Sequence, residues 1–174
     1  VHYFDISDTH ASENSRAVPI WNMKPEYTDE VIDTLESSFG YLNEKNSLTD
    51  AIISASGNAV EDNIPDYVGD LLVTVNDTFL EELDEDIVKS MYSQLVSNSV
   101  AFMIMTRLGV DTEPYFNDDD FRDIVNFNTQ EALNALGFAT SDIAEMGLSE
   151  ISKTILVLNR QNRIIAENRQ SEYT

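Results

Sequence analysis

Two groups of carboxylates and a pair of imidazoles are the side chains in this sequence whose types could do chemistry. Glu81, Glu82, Asp84, Glu85 and Asp86 form one acidic group, and Asn117, Asp118, Asp119 and Asp120 form the other. Oxygen donors suit Ca²⁺ or Mg²⁺, yet neither run has the alternating ligands and central glycine of an EF-hand loop. Both stand where a helix N-terminus is expected, so dipole complementarity and solubility account for them. A serine triad would need His2 or His10, and both fall in an N-terminal arm where they read as solvated loop residues. The chain has no cysteine, which removes thiol nucleophiles, disulfides and Cys-based zinc sites. Its six glycines are isolated, so no Gly-rich phosphate loop exists. Met91, Met103 and Met105 read as core filler and not as a peptide-binding groove.

The elements that would position these residues are helical. From Glu85 to Leu108 apolar side chains recur at Ile87, Met91, Leu95, Val96, Val100, Met103, Ile104 and Leu108, one stripe at helical spacing. That helix would be about 36 Å long, with Asp84 as its N-cap, Arg107 near its negative end and Gly109 as its left-handed stop. Its second half is apolar on most sides and reads as core. Before it, Thr28 caps a helix with Val31, Ile32, Leu35 and Phe39 inward and Gly40 as the stop. Ser47 opens another helix to about Asn63, and Pro65 starts a new one. After Gly109, a loop carries Pro114, Tyr115 and Phe116, and a helix follows with Phe121, Ile124 and Val125 inward. Asn128 and Glu131 open a short helix that ends at Gly137. Thr140 or Ser141 begins the last helix, which reaches about Asn168 with Gly147 as its weak point. The expected fold is all-α, an irregular bundle of about seven helices around one long central helix. Residues 1–26 are expected as a short extended arm anchored by Trp21, and residues 27–174 as the helical domain.

Composition narrows the classes of function. A formal charge of -22 with 42% hydrophobic residues describes an acidic globular chain, not a disordered acidic tail. Such a field repels phosphate backbones, so direct nucleic-acid binding is not expected. Residues 150–174 depart from this, with four Lys/Arg against three Asp/Glu. No apolar run approaches the length of a membrane span. Absent cysteine fits a reducing cytoplasm. The opening Val-His-Tyr-Phe-Asp-Ile, with no methionine, reads as part of a longer polypeptide.

Several short stretches resemble a known family. Phe4-Asp5-Ile6-Ser7-Asp8-Thr9 is similar to the "FDVSQT" element of ArdC/LtrC-type proteins, the antirestriction-associated polypeptides of plasmids and conjugative transposons. In that family the element joins a single-stranded-DNA-binding domain to a zincin-like metallopeptidase domain. Ser99-Val100-Ala101-Phe102, followed by Arg107-Leu108-Gly109-Val110-Asp111-Thr112, is similar to the family's "ESVAY…FGLDT" run. The resemblance spans most of the chain and implies a metallopeptidase-like helical core. Active relatives carry H-E-x-x-H on a helix and a further acid as third zinc ligand. By the same register, Ser54, Ala55 and Asn58 stand here for His, Glu and His, and Gln94 falls near the third-ligand position. Hydroxyl and neutral amide are poor zinc donors. The resemblance therefore implies a degenerate, non-catalytic domain with no metal and no cofactor.

Three readings follow. The first is a cytoplasmic scaffold or protein-interaction module within a larger mobile-element polypeptide, with a protein partner or neighbouring domains as its ligand. The second is an acidic DNA mimic that occupies the basic cleft of a restriction or host-defence protein. The third, a hydrolase with a carboxylate-bound metal, has no acid placed by a motif.

Overall fold

The structure is a computed structural model that describes Trp21 and residues 23–172, with side chains to residue 169. The expected arm over residues 1–26 therefore lies mostly outside the described residues, as do His2 and His10. What is described is all-helical, with no strand among the described residues. Four α-helices carry it: α1 (Thr28–Phe39), α2 (Leu48–Thr74), α3 (Glu85–Leu108) and α4 (Gln130–Glu172). Three 3₁₀ segments, Pro25–Tyr27, Asp118–Asp120 and Arg122–Asn126, fill the connections. No helix among the described residues is long and apolar enough to cross a membrane.

Helix ends follow local chemistry. Ser47 accepts from the backbone N–H of Asp50, and Asp84 from that of Asp86, each satisfying a donor that its helix leaves unpaired. Gly40 (φ 81°) and Gly109 (φ 70°) stop α1 and α3 in conformations that favour glycine. Thr28 is the first residue of α1 and not its cap; Tyr27 holds that place at the end of the 3₁₀ turn. Asn128 does not cap α4, since its Oδ1 accepts from Phe79 N–H at 2.9 Å. Thr129 instead accepts from Ala132 N–H.

The bundle holds four α-helices where about seven helices were expected. Pro65 lies inside α2, and Gly137 and Gly147 lie inside α4. Tertiary packing carries the helices through residues that locally weaken them. The expected helix over Phe121 to Val125 is a pair of 3₁₀ turns, and Ile124 and Val125 are exposed. The centre also moves: α2 and α4 each pack against all three other α-helices, whereas α3 packs chiefly on those two.

Pairwise contacts give the helix directions. Tyr92 donates to the Ala135 carbonyl, and Ile104 abuts Gly147, so α3 and α4 run parallel. Tyr27 bonds Asn159, Thr34 bonds Thr154, and Phe39 approaches Gly147, so α1 runs antiparallel to α4. Asn58 bonds Phe39, which lies by Gly147, whereas Tyr67, later in α2, reaches Asp142, earlier in α4, so α2 is antiparallel to α4 as well. The result is an up-up-down-down bundle in which two connections must travel back along a helix. The second does so visibly. It passes Phe116 and Phe121 against Phe102, the Asp120 carbonyl against Asn98, and Phe127 against Tyr92.

In the core lie Val31, Leu35, Ile52, Leu71, Tyr92, Met105, Ile143 and Ile151, all at most 1% exposed. On α3 the expected stripe is buried at Leu95, Val96, Val100, Ile104 and Leu108 and departs from expectation in its first turns. Val88 and Tyr92 are buried where Ile87 and Met91 were expected, and Ile87 is 50% exposed. Phe102 and Met103 are also open to solvent, so the second half of α3 is not covered on most sides.

Candidate functional site

Ser54 and Asn58, two of the positions singled out by the resemblance, tether the connection between α1 and α2. Phe39 closes α1, so its carbonyl has no partner within the helix. The side-chain amide of Asn58 supplies one, donating to the carbonyls of Phe39 (3.0 Å) and Tyr41 (2.9 Å). One turn earlier on α2, Ser54 Oγ accepts from Glu44 N–H at 3.1 Å. Glu36 adds to the same connection, accepting from Leu42 N–H and from Lys45 Nζ at 2.6 Å. The hydrogen bond from Lys45 holds the Glu36 carboxyl below its ordinary range, and the same bond raises Lys45.

The four positions differ in their surroundings. Ser54 and Asn58 face the α1–α2 connection, while Ala55 is buried in the core at 2% exposure. Gln94, on α3, donates to Asn98 Oδ1 at 2.9 Å, and Asn98 in turn donates to the Asp120 carbonyl. It belongs to the fastening of the α3–α4 crossover. Among the described residues, no three of His, Cys, Asp and Glu come together in a way that could hold a metal ion.

The second acidic group has a local role. Asn117 and Asp120 form a reciprocal capping box, with Asp120 accepting from Asn117 N–H at 2.8 Å. In the first group, Asp84 caps α3 and Glu85 pairs with Lys89. The dipole reading agrees with the first group, at the start of α3; the second group sits on a three-residue 3₁₀ turn where a helix was expected.

Three surface features remain. A groove of about 500 Å³ lies between α3 and α4, with Trp21, Met103, Arg107, Glu145 and Ser152 among its walls. Trp21 lies at this groove: its backbone N–H donates to the Arg107 carbonyl at 3.1 Å, and the Arg107 guanidinium lies 5.1 Å from its ring centroid. A second feature is a carboxylate row on α2. Asp62, Asp66 and Asp70 recur every fourth residue, all are exposed, and none is in an ion pair with a described residue.

The third is the far end of α4. Its bundle face ends at Asn159 and Asn162, which bond Tyr27 on either side of the phenol oxygen. Residues 159–169 are all exposed. Leu156 (66% exposed), Val157 (54%), Ile164 (47%) and Ile165 (50%) give this end an uncovered aliphatic surface. The sequence reading followed the helix here but missed that its last turns stand clear of the bundle. Only the charge shift after residue 150 hinted at it.

No protein-family model, curated protein or solved structure matches the chain.

Proposed function

We propose that the chain is a non-catalytic helical module of a larger cytoplasmic polypeptide, a degenerate metallopeptidase-like domain that works by holding a protein partner or neighbouring domains. The observation that carries this is the use made of Ser54 and Asn58. Their polar atoms fasten the α1–α2 connection, and Ala55 between them is packed in the core. The assignment to a conjugative-element polypeptide of ArdC/LtrC type rests on the stretches around Phe4, Ser99 and Arg107. Protein purified without chelator should carry no stoichiometric zinc and release no product from peptide substrates. Asn58→Ala should lower stability by about 1–3 kcal/mol in urea unfolding, because it strips two carbonyls of their donor. Bound zinc together with chelator-sensitive peptide hydrolysis would overturn the reading.

A second reading is favoured by the row on α2. Asp62, Asp66 and Asp70 stand about 6 Å apart along the helix axis, exposed and in no ion pair with a described residue, as an acidic surface aimed at a basic cleft requires. Under this reading the chain displaces duplex DNA from a basic restriction or host-defence protein, and added salt weakens the contact. Replacing the three aspartates by asparagine should abolish displacement. Unchanged displacement would remove this reading and leave the first.

A further inference from the structure

We infer that the outward face of the far end of α4 docks on the acidic face of α2 in a second copy of this chain, so that the module self-associates. The inference rests on the interaction-module reading and names its partner.

The two faces are complementary in charge and relief. With Ile151, Ile155 and Asn162 directed at the bundle, helical spacing puts Leu156, Val157, Arg160, Arg163 and Ile164 on the opposite side of α4. Neither Arg160 nor Arg163 is in an ion pair with a described residue, and Glu167 is the one acid among residues 156–169. The surface is thus aliphatic and cationic on a chain whose net charge is -22.

On α2, Asp62, Pro65, Asp66, Gly69, Asp70 and Val73 follow one another at steps of three and one, and every one of them is exposed. Gly69 has open space where a side chain would stand, and Pro65 is compact, so a helix can approach this face closely. Val73, 73% exposed, offers an apolar contact at its end. An aliphatic ridge fits over Pro65 and Gly69, while the flanking arginines meet the aspartates. Like surfaces would fail here, since two α4 ends bring arginine against arginine and two α2 faces bring aspartate against aspartate. Pairing unlike faces removes both repulsions. Such a contact closes as a two-fold pair when reciprocal and extends into chains otherwise.

Sedimentation velocity on the whole chain over a concentration series tests this. The expected result is a concentration-dependent dimer or larger species whose association weakens about tenfold between roughly 50 and 500 mM salt. Arg160→Glu with Arg163→Glu should leave the chain monomeric and folded by circular dichroism. Gly69→Leu should do the same by filling the approach. Mixing the double-glutamate chain with one carrying Asp66→Arg and Asp70→Arg should restore association between the two. A chain monomeric at every concentration and salt, or an association indifferent to these substitutions, overturns the inference. The module reading would survive that result, because it falls only to bound zinc with peptide hydrolysis.

Discussion

Gly147 of α4 faces Ile104 of α3. A methyl group there would stand 2.8 Å from Ile104 Cδ1, inside contact distance, with Phe39 next at 3.9 Å. In an open helix, Gly→Ala gains up to about 1 kcal/mol from helix propensity. At Gly147 the intruding methyl meets a side chain that is 2% exposed and has little room to yield. We expect Gly147→Ala to destabilise by roughly 1 kcal/mol, since overpacking costs about 1–3 kcal/mol. In an Ile104→Val background, which removes the clashing carbon, the same substitution should become stabilising. Paired urea titrations of the four chains give both signs. The sequence marked Gly147 as a weak point in a helix, and the structure explains why glycine is there. Asn58 was less legible: its partners are carbonyls on the α1 side of the connection, 17 and 19 residues away, and no local pattern encodes them. The caps at Ser47 and Asp84 were legible because donor and acceptor lie within three residues of each other.

Helices were recognised more reliably than their continuity. Periodicity located all four α-helices, but Pro65 and Gly137 read as boundaries and are interior residues. A breaker acts locally, whereas the decision to continue comes from packing on both sides of it, here Ile64 and Leu71 in α2 and Leu136 and Ala139 in α4. The first turns of the α3 face were misjudged for a related reason, although Leu95, Val96, Val100, Ile104 and Leu108 are buried as expected. Ile87 is more hydrophobic than Tyr92, yet Tyr92 is the one buried, because its hydroxyl finds the Ala135 carbonyl at 3.0 Å. Continuity through Pro65 has a measurable cost. Proline cannot donate to the Glu61 carbonyl, and it crowds the preceding turn. Pro65→Ala should therefore raise the stability of the bundle by about 1–3 kcal/mol, read as a higher denaturation midpoint at unchanged slope. A lower midpoint would mean that the ring makes contacts the helix needs.

At the scale of the whole molecule, alkaline pH should be the stress that the core resists least. Burial pushes the Tyr92 phenol far above its ordinary range, with Tyr67 and Asp70 adding to the shift. Tyr67 is raised too, by burial and then by Asp142. A folded pKa above the unfolded one favours folding fully below about pH 10, where an unfolded tyrosine begins to ionise, and the advantage fades as pH rises towards the folded value. Urea midpoints should hold steady to about pH 9 and fall beyond pH 10. Tyr92→Phe should flatten that fall while lowering stability near neutrality by about 1 kcal/mol through the lost hydrogen bond. A steep alkaline fall that persists in the phenylalanine variant would assign it to other groups.

The parallel pairing of α3 with α4 also fixes when the molecule can assemble. The phenol of Tyr27 finds Asn159 only 132 residues later in the chain, and Thr34 waits 120 residues for Thr154. During synthesis α1 and α2 emerge well before α4, the other helix packed on α1. Contacts of such high sequence separation slow the search for the native state relative to a bundle of successive hairpins.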